Sequence, residues 1–102
     1  MPQNPKILLV DDNAENIKVA AEILRNHGYN VSFAQDGSEA LAKAKQKDFD
    51  LIVLDIMMSG MDGFQVCTLL KKNPQTNNIT IIFLSGRTDS ENVFQTFKEG
   101  GA

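Results

Sequence analysis

Tryptophan is absent and cysteine occurs once, so no internal disulfide can form and the fold must be held by packing. A single thiol also fits a reducing compartment, and Cys67 reads as a small buried hydrophobe on a helix. His27 is the sole histidine. It stands beside Gly28 at an expected helix end, where an imidazole meets the last carbonyls rather than a metal. Positive charge is in deficit: ten Lys and Arg against thirteen Asp and Glu leave a net charge of -3. That balance gives no footing for direct nucleic-acid binding. No apolar run approaches the roughly 20 residues of a membrane helix, and residues 1–6 do not form a signal peptide. A cytoplasmic protein without membrane contact is therefore expected. The length of 102 residues allows one domain, 1–102.

Against these absences stand two hydrophobic runs that end in carboxylates. Ile7-Leu8-Leu9-Val10 leads into Asp11-Asp12, and Leu51-Ile52-Val53-Leu54 leads into Asp55. Short, continuous, aliphatic runs of this kind read as strands buried on both faces, as in parallel sheets. If the two are parallel neighbours, the three acids meet at one carboxyl edge, where open α/β sheets bind ligands. Such carboxylates cannot all stay ionised unaided. Some take up protons, or a hard divalent cation sits among them.

Helical spacing separates the strands. Asn13 can cap a helix running to about His27, with Ile17, Ala20, Ala21 and Leu24 on one face, and Gly28 stops it. Tyr29 to Ala34 reads as a half-solvated strand. Asp36-Gly37-Ser38-Glu39 resembles a capping box opening a helix over 38–47. Asp62-Gly63-Phe64-Gln65 repeats the arrangement, for a helix to Asn73 that Pro74 ends. Ile79 to Leu84 is the fourth strand. Thr88-Asp89-Ser90-Glu91 predicts a last helix carrying Val93, Phe94 and Phe97 as far as Gly100-Gly101. Strand–helix alternation at this spacing predicts a doubly wound parallel sheet in the order 2-1-3-4, with right-handed crossovers.

With these residues in place, the chain resembles a response-regulator receiver domain of two-component signalling, from Lys6 to Ala102. The resemblance rests on Asp11-Asp12, on Asp55-Ile56-Met57-Met58-Ser59-Gly60-Met61-Asp62-Gly63, and on Ser85 after the fourth strand. Ser59 departs from the family's proline, and Gly86 from its preference for a small side chain. The resemblance implies a flavodoxin-like α/β fold and a phosphorelay role, with a histidine kinase or phosphotransfer protein as donor. Asp55 would be the phosphoacceptor, with Mg²⁺ held directly by Asp12 and Asp55, through water by Asp11, and by the Met57 carbonyl. Ser85 would be the switch hydroxyl, while Met57 and Arg87 would modulate phosphate loss. At most this is self-phosphorylation from a donor and slow autodephosphorylation, not turnover catalysis.

The family's pattern continues past Ala102 with a fifth strand ending in lysine and a fifth helix. Ending at Ala102, the chain is expected to be a truncated receiver. Loss of one preorganised donor costs on the order of 3 kcal/mol of transition-state stabilisation, so weak metal binding and slow phosphorylation are expected. The strand at 79–84 is expected to become an open apolar edge, favouring self-association through that edge or by exchange of the C-terminal helix. Val19 and Ile23 add apolar surface for a partner. The alternative is a receiver-like interaction module with a vestigial acidic site. An aspartyl-phosphate hydrolase is a third class, disfavoured because no acid–base carboxylate stands two residues after Asp55.

Overall fold

The computed structural model describes residues 4–58, 60–84 and 94–96. Four parallel strands form the body of the sheet: β1 (Lys6–Val10), β2 (Asn30–Ala34), β3 (Leu51–Asp55) and β4 (Thr80–Leu84). Their order is β2-β1-β3-β4, the flavodoxin-like arrangement expected from the sequence. Three helices connect them among the described residues: α1 (Ala14–Asn26), α2 (Gly37–Gln46) and α3 (Gly63–Lys72).

The sheet buries both faces, and the strands alternate between them. Leu8, Val10, Ile52, Leu54, Ile81 and Phe83 face α2 and α3, meeting Ala40, Ala44, Val66, Cys67 and Leu70 in one core. Ile7, Leu9 and Val53 face the other way, against Ala21 of α1, with Leu24, Val31, Leu51 and Leu84 at the margin. This two-sided demand explains why β1 and β3 are unbroken aliphatic runs. Val19 and Ile23 of α1 are exposed, as their position beside the main face implied.

Local chemistry fixes where each helix begins. The Asn13 side chain accepts from the amides of Glu15 (2.9 Å) and Asn16 (3.1 Å). Asp62 and Gln65 form a complete capping box, each side chain accepting the other's amide at 2.9 Å. At α2 the box is displaced: Asp36 accepts from the Glu39 amide, but the Glu39 carboxylate takes the amide of Gln35 instead. That bond, aided by Lys43, holds Glu39 below the usual carboxylate range. α1 ends as expected, with His27 Nδ1 2.9 Å from the Ile23 carbonyl and Gly28 at φ 90°. Such a left-handed backbone suits glycine.

One expectation fails. Phe94–Thr96, assigned by sequence to the last helix, form a short strand, β5, antiparallel to β4. Ile82 pairs with Thr96, Phe83 with Gln95 and Leu84 with Phe94, giving a five-stranded sheet. The outer edge of β4 is thus covered over Ile82–Leu84 rather than open. A row of unpaired backbone groups on an apolar strand recruits an extended segment, and phenylalanine and threonine are residue types that strands favour. Helical spacing was outweighed by a partner the sequence does not display. The expected capping box Thr88–Glu91 lies outside the described residues.

Candidate metal and phosphoryl site

Register brings the acids together. Val10 pairs with Leu54 across β1 and β3, so Asp11 leaves β1 beside Asp55 at the end of β3. Each of Asp11, Asp12 and Asp55 places a carboxylate oxygen within 4.8 Å of the others. Asp11 and Asp55 are buried, whereas Asp12 is exposed. Asp11 is positioned by its backbone: its amide donates to the Ala34 carbonyl, and its Oδ1 accepts from the Asn13 amide at 2.9 Å.

Asp55 is held through its neighbours as well as through its own side chain. Its Oδ1 accepts from the Met57 amide at 3.3 Å. The next residue, Ile56, donates its amide to the Leu84 carbonyl (3.1 Å) and accepts at its own carbonyl from the Gly63 amide (2.9 Å). The end of β3 is therefore tied both to β4 and to the first turn of α3. An open cleft of about 550 Å³ lies alongside, lined by Asp12, Ile56, Met57, Met58, Asp62 and Phe64. Another groove, about 560 Å³, runs between α1 and Phe33, and none of the three acids lines it.

The electrostatics follow from this geometry. The Asp55 carboxyl is pushed up to about 6, first by burial and then by the neighbouring Asp11 charge. A hydrogen bond with the Asp11 carboxyl and, least, the Asp12 charge act in the same direction, while the Met57 amide opposes them. A cluster in which burial and like charge both disfavour ionisation is one that a cation relieves. The donors suit a hard ion. Mg²⁺ takes oxygen ligands, and Asp11, Asp12 and Asp55 each bring a carboxylate oxygen within 4.8 Å of the others, so together they could hold such an ion.

Of the residues singled out from sequence, Asp11, Asp12 and Asp55 converge, and Met57 stands exposed in the adjoining loop, its amide on Asp55. Ser85, Gly86, Arg87 and Ser59 lie outside the described residues. Gly63 enters the sequence reading as part of a cap and as the end of the stretch from Asp55 that carries the resemblance; in the structure its amide also braces Ile56. The available signal was a glycine opening a helix after Asp62, where a better helix former would ordinarily stand.

The comparisons with known proteins agree with this geometry. The family model described as response regulator receiver domain matches residues 7–102. The response regulator PleD of Caulobacter vibrioides is 45% identical over 87 residues, covering 82% of this chain and 19% of PleD. The transcriptional regulatory protein ResD of Bacillus subtilis is 37% identical over 95 residues, covering 93% of this chain and 38% of ResD. The chain thus spans well under half the length of these relatives. Among solved structures, the Vibrio cholerae chemotaxis protein CheY4 superimposes with a TM-score of 0.79 at 35% identity, covering 86% of this chain and 73% of that one.

Proposed function

The chain belongs to the response-regulator receiver domain family, and from that premise we propose that it is the phosphoacceptor of a two-component phosphorelay. In this reading Asp55 takes the phosphoryl group, and Asp12, Asp55, the Met57 carbonyl and, through water, Asp11 would hold Mg²⁺. The observation that carries the reading is the meeting of Asp11, Asp12 and Asp55 at the carboxyl edge, with Asp55 buried and fixed.

Each residue has a definable task. An Asp55 oxygen attacks the phosphorus of a phosphohistidine on a histidine kinase or phosphotransfer protein. The new O–P bond forms as the N–P bond breaks, and the imidazole leaves with its electron pair. Phosphoryl transfer asks mainly for positioning and charge neutralisation, and the ties from Ile56 to Leu84 and Gly63 supply the positioning. Bound Mg²⁺ would offset the charge of the phosphoryl oxygens and of the acid cluster. Asp11 keeps its carboxylate aimed through the Asn13 amide. Ser85 would donate its hydroxyl to a phosphoryl oxygen. Because Leu84 carries the carbonyl that receives the Ile56 amide, movement at Ser85 would be felt one residue away, at the Asp55 loop.

Intact-mass spectrometry after incubation with acetyl phosphate, with and without Mg²⁺, tests the proposal. The expected result is a Mg²⁺-dependent gain of one phosphoryl group that Asp55→Asn abolishes. No gain in a folded sample would sink the phosphoacceptor reading and leave an interaction module.

A further inference from the structure

The first turn of α3 comes unusually close to the strand that carries Asp55. A Cβ placed on Gly63 would lie 2.5 Å from the Asp55 carbonyl oxygen, 2.9 Å from Ile56 Cα and 3.1 Å from the Asp55 carbonyl carbon. These neighbours are backbone atoms at the end of β3 and in the residue that follows it, and they cannot swing aside as a side chain can. The absence of a side chain is also what lets the Gly63 amide reach the Ile56 carbonyl at 2.9 Å. Gly37 offers an internal contrast. A Cβ there is also crowded, but by the Met61 and Val66 side chains, with Met61 Sδ and Val66 Cγ2 each at 2.9 Å.

We infer that Gly63 is a positioning residue for Asp55: its bare Cα lets α3 abut the Asp55–Ile56 peptide and sets where the Asp55 carboxylate stands relative to Asp11 and Asp12. The inference rests on the phosphoacceptor reading and deepens it. A methyl group at Gly63 must push the end of β3 and the start of α3 apart. The displacement passes directly into the residue whose side chain reacts. At Gly37 the same methyl meets the Met61 and Val66 side chains instead of the backbone at Asp55.

The test compares wild type, Gly63→Ala and Gly37→Ala, each well below its unfolding temperature. Mg²⁺ affinity is measured by NMR titration and the rate of phosphoryl uptake from acetyl phosphate at saturating Mg²⁺. Both glycine variants are expected to lose stability. Only Gly63→Ala should lose Mg²⁺ affinity, about tenfold, and uptake rate, about 10- to 100-fold, as misplacement by around 1 Å commonly does. Its Ile56 and Met57 amide resonances should move in metal-free protein. Wild-type affinity and rate in folded Gly63→Ala would overturn the inference, as would equal losses in both variants. Wild type that takes up neither Mg²⁺ nor phosphoryl would overturn the phosphoacceptor reading itself, and this inference with it. Should Gly63→Ala fail to fold, Gln65→Ala loosens the same turn without adding an atom near Asp55, by removing the bond to the Asp62 amide. It should weaken Mg²⁺ binding about two- to fivefold, the scale of one lost hydrogen bond. Unchanged binding in that variant would count against the inference.

Discussion

The two ends of the sheet carry the same residue type and use it in opposite ways. At the amino edge, exposed Asp50 closes a seam: its Oδ2 accepts the Lys6 amide at 2.8 Å, while its own amide donates to the Lys6 carbonyl at 2.8 Å. That carboxylate is solvated and locally satisfied. At the carboxyl edge, Asp55 is buried between like charges and pushed up to about 6. Burial and company, not the residue itself, decide whether an aspartate seals a strand end or holds repulsion in reserve for a cation.

The sharpest break of the comparison is one substitution made at both ends. Without Mg²⁺ at pH 7.5, Asp55→Asn is expected to raise stability by about 1–2 kcal/mol, once the shift is discounted for solvent screening. For a domain of this size that is roughly 4–8 °C in Tm per kcal/mol, readable by circular dichroism. The sign follows from linkage. The folded carboxyl holds its proton up to about pH 6, against 3.8 as its ordinary value. The folded state is therefore penalised as pH rises through that window, and fully so above it. The advantage of Asp55→Asn should be complete above pH 6 and gone by about pH 4. An advantage independent of pH would mean that ionisation of the Asp55 carboxyl is not its source.

A smaller effect is expected where the acid caps a helix. Asp62→Ala should cost about 1 kcal/mol through loss of the capping box, with Asp62→Asn recovering most of it in urea denaturation. At the amino edge, Asp50→Asn should change stability by less than about 0.5 kcal/mol, because an amide oxygen still accepts the Lys6 amide. A large loss there would erase the contrast between the two ends. Smallest of all, burial pushes the Cys67 thiol up, so it should react with a thiol reagent only as fast as the protein opens. Rapid labelling of folded protein would place that face of α3 in solvent.

Much of this was legible in the sequence because the signals were local. Ile7–Val10 and Leu51–Leu54 are continuous aliphatic runs since both sheet faces are covered, and each ends in the acid that the parallel register carries to the site. Asn13, Asp36 and Asp62 announce helix starts through bonds that span three residues or fewer. What stayed hidden depends on contacts distant in the chain. Phe94–Thr96 pair with β4 because an edge was available, which helical spacing cannot reveal. Gly63 is legible as the close of a motif and the opening of a helix, but the Asp55 carbonyl 2.5 Å from where its Cβ would be is a contact that only the fold creates. The upward push on Asp55 was foreseeable in direction, since crowded carboxylates must protonate or bind a cation. Its partition among burial, Asp11 and Asp12 required the fold.

On the proposed function, Mg²⁺ at the carboxyl edge relieves the cost of ionising Asp55, which burial and the neighbouring acids impose. Thermal unfolding across a Mg²⁺ titration at pH 7.5, for wild type, Asp55→Asn and Asp50→Asn, tests it most directly. Wild type and Asp50→Asn should gain Tm together as Mg²⁺ rises, by mass action on the folded state, while Asp55→Asn starts higher and gains little. Equal responses in all three proteins, or none in wild type, would contradict it.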